Sequence, residues 1–279
     1  MSSSQHPIAL KLERTLGLRE TVSGPTKLLA IVMFLPLIDG IFPALILAGG
    51  IDSVAGILQV GLLVFGGSAV LAVILAEMDG TPREQAKIVL LVAAGLLPLA
   101  AVEAALAPTI ASVLDLAIFE RFAALVIAAI AAKTASARIG EYLPSPGVII
   151  GLGFIASVDP AGAELVFTPD LGLILRATAT AGVGVAFALC VALGGPWLRR
   201  NLDIDSFRFG SAVALGVLPL ALLGITFEQA PLAVLLVAGV LAFDPSEGVD
   251  DSIAESAPDD EQPVAERGYR AEPEREPWL

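Results

Sequence analysis

Apolar residues are gathered into eight runs, at 28–47, 54–76, 88–107, within 110–132, 148–158, 171–193, 210–227 and 231–243. Polar residues do not interleave with them at helical spacing, so the runs are apolar all round rather than on one stripe. About 20 such residues are needed to cross a bilayer as a helix. The pattern therefore predicts an all-α integral membrane protein with about eight transmembrane helices. Run five, at 148–158, is the short one. Eleven helical residues cover ~17 Å of a hydrocarbon core of ~30 Å.

The lysines and arginines decide how that short run is read. Lys11, Arg14, Arg19 and Lys27 precede run one. Arg83 and Lys87 follow run two, Lys133 and Arg138 follow run four, and Arg199, Arg200 and Arg208 follow run six. Arg267, Arg270 and Arg275 lie beyond run eight, and Arg121 and Arg176 fall outside the scheme. Basic loops stay on the cytoplasmic side. Both termini are thus expected inside, and run five must cross, with irregular backbone at "LPSPG" shielded by protein.

Composition agrees. The chain is 56% apolar with a mean hydropathy of +0.83, yet carries a formal charge of −13. Most of that charge sits in residues 244–279, which hold twelve acids and three arginines and have the composition of a disordered cytoplasmic tail. Residues 1–26 read as a cytoplasmic polar leader without the apolar core of a signal peptide. "LKLERTLGLRE" within it fits a short amphipathic helix at the inner surface or a frayed terminus.

The halves resemble each other. "GIFPALILAGGID" from Gly40 matches "GVIIGLGFIASVD" from Gly147, and run two matches run six at Gly56/Gly172 and Gly66/Gly182. "GLLPL" from Gly95 matches "GVLPL" from Gly216, and "LVIAAIAA" matches "LLVAGVLA". Two parallel four-helix repeats follow, 27–133 and 134–243, related by an axis along the membrane normal. The same alignment puts Arg121 at the outer start of run four, with "PTIASVLDLAIF" as an extra helix on the outer surface.

Asp39 is the foremost candidate for chemistry. It lies about 18 Å of helix beyond Lys27, near the midplane, where an ionised carboxylate is costly unless paired or hydrated. Pro36, Gly40 and Pro43 break the helix around it and free carbonyls that could hold a cation or proton. The alternative is that Asp39 caps a half-helix from Gly40. Pro144, Pro146 and Gly147 break run five at the matching place, and matched breaks in two repeats point to a transport site. Glu103 and Arg176 are secondary ion-binding candidates. Glu103 could pair with Arg176 or Arg121, and each could instead reach the headgroups. Asp52 and Asp159 read as helix starts, and Gly61, Gly66, Gly67, Gly182 and Gly184 as sites of close helix contact.

No catalytic set, metal-ligand spacing or phosphate loop is present, so an enzyme, a cofactor and a metal are not expected. Cys190 stands alone, and no basic nucleic-acid footprint exists. "FLPLIDGIFPALILAGGID", with the eight-run layout and acidic tail, resembles an uncharacterised family of multi-pass membrane proteins of halophilic archaea. That resemblance implies a cell-membrane location and supplies no activity. The expected function is secondary transport or export of a small solute or ion, with its site at broken helices one and five. The lipid bilayer would be its other partner, and the oligomeric state is open. A membrane scaffold acting through the acidic tail is the alternative.

Overall fold

The computed structural model describes residues 24–159 and 169–243. The leader up to residue 23, residues 160–168 and the acidic tail from residue 244 lie outside the described residues. Regular structure among those residues is entirely helical, supplemented by two isolated β-bridges, Leu114↔Val158 and Leu202↔Phe243.

Run one is two helices, α1 (Gly24–Ile38) and α2 (Ile41–Leu47). They separate at Asp39–Gly40, where Gly40 takes the left-handed φ of +76° that residues with a Cβ avoid. Pro43 cannot donate to the Asp39 carbonyl, which keeps the ladder open there. Pro36 is held inside α1 and buried. Run two is also interrupted. It comprises α3 (Val54–Val60), a π-helix π1 (Gly61–Gly66), α4 (Ser68–Ala72) and a second π-helix π2 (Val73–Glu77). The axis bends by 43° at Gly67.

Two long helices form the centre, α5 (Pro82–Ala111, 30 residues) and α9 (Leu171–Asn201, 31 residues). Thr81 and Glu84 close a capping box at the start of α5, and Asp170 accepts from Gly172 N–H at the start of α9. Their mutual interface is the most extensive among the described helices, and both helices bury small residues, Ala93, Ala100 and Ala104 in α5 and Ala181, Ala188 and Ala192 in α9. Small residues let backbones approach when the surrounding solvent is itself apolar.

α6 (Leu116–Ala135) starts where Asp115 accepts from the Ala117 and Ile118 N–H groups. This corrects the expected surface helix at 108–119. α5 continues to Ala111, and one strong cap at Asp115 starts α6 well before Phe122. Arg121 therefore lies in the second turn of α6, where its side chain is exposed. The short α7 (Ala137–Tyr142) leads to α8 (Pro146–Ser157), and α10 (Ile204–Leu222) and α11 (Ala230–Leu241) complete the chain.

Four segments are long and apolar enough to cross a membrane: Gly24–Leu47, α5, α9 and α10. The bent stretch from α3 to π2 makes a fifth when counted as one span. α6 has 20 residues but carries Glu120, Arg121 and Lys133. α8 and α11 have 12 residues each, about 18 Å of helix, short of a full core.

Glycines set how α9 meets the broken run. A Cβ on Gly61 would fall 2.6 Å from Thr180 O, and one on Gly184 would fall 2.3 Å from Phe65 Cβ. Gly182 faces open space instead, so it takes no part in the packing expected of it. Arg199, read from sequence as a loop cation, is a donor in the last turn of α9. Its Nε donates to Leu75 O (2.7 Å) and its Nη2 to Ile74 O (3.1 Å) and Met78 O (3.2 Å). Those are the carbonyls left over where π2 ends. Gln85 Nε2 adds a bond to Met78 O at 2.7 Å. Trp197 stacks on Phe243 beside them, with ring centroids 5.4 Å apart.

Candidate functional site

A cavity of about 520 Å³ opens between the break in run one, α4, the last turns of α6, the start of α8 and the first turns of α10. Asp39, Ser68, Lys133, Thr134, Pro146 and Arg208 are among its lining residues. Each arrives there for a local reason. Asp39 ends α1 because the helix cannot continue through Gly40. Ser68 follows the bend at Gly67. Lys133 is in the last turn of α6, where a cation suits the helix dipole. Pro146 occupies the first position of α8, after Ser145 at its N-cap.

A second, largely apolar chamber of about 210 Å³ adjoins the first and shares Leu35, Ile41, Ser68, Ala69, Ile130 and Thr134 with it. It reaches Gly67, Ile127, Ser211 and Leu215. The two therefore share a wall, with charged groups lining the larger one and aliphatic groups and three hydroxyls lining the smaller.

Asp39 is half-buried, and its carboxylate makes no hydrogen bond or ion pair among the described residues. It does not cap α2. Gly40 holds the N-cap position and no side-chain bond is made there. Lys133 and Arg208 line the same space, so the carboxylate faces a cavity whose other charged groups are cationic. The broken helices are neighbours as well. A Cβ on Gly40 would lie 3.6 Å from Ile150 Cγ2 of α8. Of the expected breakpoints, Pro43 sits in the first turn of α2, Pro144 in the link before α8, and Gly147 in its first turn with open space around it.

Glu103 and Arg176 lie apart from this cavity. Arg176 Nη2 pairs with Asp52 Oδ1 at 3.5 Å, not with Glu103. Glu103 Oε2 and Arg176 Nε are both buried without a hydrogen-bond partner. Asp52 is not the cap of α3; Ser53 takes that role, accepting from Gly56 N–H at 2.9 Å. A cavity of about 170 Å³ opens at this end of the molecule, lined by Asp52, Ser53, Gln59, Ala221, Leu222 and Glu228 among others. Ser53 Oγ donates to Glu228 Oε1 across it. Gln59 is 3% exposed, and its Oε1 has no partner. Sequence patterning missed this second cavity because its parts come from run one's end, run two and the loop after run seven. A glutamine inside an apolar run was the available signal. No group of three or more metal-ligating side chains occurs among the described residues.

Residues 96–223 are similar to a family of unknown function, DUF5794. The match runs from the middle of α5 to the end of α10. It includes Glu103, Arg176, Pro144, Pro146 and Gly147, and leaves out Asp39 and both interrupted runs. No curated protein and no solved structure matches the chain.

Proposed function

We propose that the protein is a multi-pass membrane protein of eight crossings that carries a small solute or ion by secondary transport or export. One observation carries this reading: the cavity that lies between the helix break at Asp39–Gly40 and the cationic ends of α6 and α10, and that shares a wall with the chamber at Gly67. Ionisable side chains inside a helical membrane protein are expensive and mark pathways, and this cavity gathers three, Asp39, Lys133 and Arg208. Interrupted helices around such a space are the usual place for a transport site. The short α8 and α11 would complete their crossings with irregular backbone covered by neighbouring helices.

Asp39 would take up the coupling proton or cation. It has no competing partner, and the cavity gives it access from the Lys133 end. A solute would occupy the chamber beyond, held by contact with Ile127 and Leu215 and by the hydroxyls of Ser68, Thr134 and Ser211. The test is flux. Full-length protein in liposomes should dissipate an imposed proton or sodium gradient, read by a trapped dye. Asp39→Asn should lower that flux at least tenfold while leaving folding intact. Full flux in the variant removes Asp39 from the site. Deletion of residues 246–279 should leave flux unchanged. Loss of phenotype with normal insertion and no flux at any stage would instead support a scaffold acting through the tail.

A further inference from the structure

The two long helices open two units of the same design. α5 is followed by the Asp115-capped α6 and, after α7, by the 12-residue α8, whose end bridges back to the α5–α6 connector. α9 is followed by the Asp203-capped α10 and the 12-residue α11, whose end bridges back to the α9–α10 connector. The bridges are Leu114↔Val158 and Leu202↔Phe243. The hydrogen bonds repeat too: Asp115 N–H donates to Ser157 O at 2.6 Å, and Asp203 N–H to Ala242 O at 2.8 Å.

A constant offset of 88 residues, the spacing of Asp115 and Asp203, superposes the first two helices of each unit. "LDLAIF" from Leu114 then matches "LDIDSF" from Leu202, and Pro108 matches Pro196. Seven of the eight buried positions of α5 fall on buried positions of α9, and six of the seven in α6 fall on buried positions of α10. The third helices match at an offset of 85, the spacing of Val158 and Phe243. Gly153 packs on Phe122 so closely that a Cβ would fall 2.5 Å from that side chain. The equivalent contact is Gly210 on Ala238, at 2.2 Å. Burial phase alone could coincide. Caps, bridges and glycine contacts coinciding with it do not follow from helical periodicity.

Each unit holds three helices, an odd number, so the second runs through the bilayer in the opposite direction to the first. The sequence had paired runs one to four with runs five to eight in parallel, which set α5 on α10. The packing sets α5 on α9.

The offset also relates the cavities. Ile127 and Leu215, equivalent positions, both line the apolar chamber, which places it on the pseudo-two-fold axis. Lys133 and Thr134 line the large cavity, and their equivalents Ala221 and Leu222 line the acidic cavity at the Asp52 end. We propose that the two units are inverted-topology repeats and that the Asp52 cavity is the second mouth of the same pathway, a site for a small cation in the alternate state. Gln59 carries the ligand argument: its buried, unpartnered Oε1 lines a cavity that also holds two carboxylates. Arg176 neutralises part of that charge through Asp52. In this conformation the Lys133 mouth is the larger, about 520 Å³ against about 170 Å³. The inference rests on the transport reading for the word pathway, and on the packing for the repeat.

Spin-label pairs at each mouth test it, in full-length protein carrying Cys190→Ala in lipid nanodiscs. One variant bears Ile38→Cys and Phe209→Cys, the other Val54→Cys and Leu223→Cys. A wedge at the first mouth, Ala69→Trp, should lengthen the Ile38–Phe209 distance and shorten the Val54–Leu223 distance. A wedge at the second, Ala48→Trp, should do the reverse. Ala69→Leu and Ala48→Leu repeat the test if a tryptophan prevents folding. Shifts in the same sense, a shift at one mouth alone, or fixed distances at both overturn the proposal. Sodium ion as the probe should lengthen the Val54–Leu223 distance, and Gln59→Leu should abolish that response. No response in the parent protein removes the cation assignment. Reciprocal shifts without any gradient dissipation would remove the transport reading and keep the repeat.

Discussion

α9 and the stretch from α3 to π2 are both glycine-rich apolar segments, and they pack on each other, yet one is continuous over 31 residues and the other bends by 43°. Composition does not separate them. Placement does. α9 keeps its ladder unbroken even at its own pair, Gly194–Gly195, near its end, and has Gly184 against Phe65 and Gly182 against open space. The bent stretch has Gly66 and Gly67 in succession, and its far end leaves carbonyls unpaired. Those carbonyls are met by Arg199 from α9 itself. A helix interruption persists in an apolar medium when a neighbour supplies the missing donors, and here the straight helix supplies them to the broken one.

The comparison breaks most readily at Arg199. Arg199→Ala should lose about 3 kcal/mol or more, because three acceptors at the end of π2 lose a charged donor at once. Chemical denaturation in detergent would read this, and Arg199→Lys should recover only part, since an ammonium lacks the planar fork. An Arg199→Ala protein as stable as the parent would mean the π-helix end needs no partner.

Gly184→Ala should come next, costing about 1–3 kcal/mol through overpacking against Phe65. Gly182→Ala sharpens the contrast. Nothing lies within 4 Å of its position, so alanine should stabilise by up to ~1 kcal/mol from helix propensity alone. Melting temperatures that move in the same direction for both variants would contradict the helix face assigned to the contact.

The smallest effect belongs to the cap of α10. The Ser206 hydroxyl donates to the Asp203 carboxylate, and with the Asp205 and Ser206 N–H groups holds it below the usual carboxylate range. A carboxyl with a lowered folded-state value stabilises above its unfolded value and loses that contribution as pH falls through the folded one. Asp203→Asn should therefore lower stability slightly at pH 7, where the ionised carboxylate contributes, and flatten the acid side of the stability–pH profile below about pH 4. An unchanged acid limb would show the cap to be indifferent to charge.

The helical class and the break at Asp39–Gly40 were legible in the chain, since proline and glycine act on their own backbone whatever surrounds them. The start of α6 was misplaced for a related reason. Asp115 is a strong local cap, whereas the expected start near Arg121 rested on an alignment of weak apolar matches. The chain offers Arg176 either Glu103 or the headgroups, and it pairs with Asp52, a residue 124 positions earlier. No local pattern carries that separation.

The repeat divides the two kinds of information most clearly. In alanine- and leucine-rich sequence, identities recur at many offsets, and the chosen offset joined α5 to α10. Asp115 and Asp203 were visible but indistinguishable from ordinary helix starts. Sequence alone determined what each segment can do by itself: form an apolar helix, stop at a glycine, begin at an aspartate, carry its cations to one end. Tertiary structure decided which residues share a cavity, and it is what the proposed equivalence of the two units is drawn from. The proposed equivalence rests on close packing at Gly153 and Gly210 and on two bridges between distant connectors, and those are properties of pairs of segments, absent from either one alone.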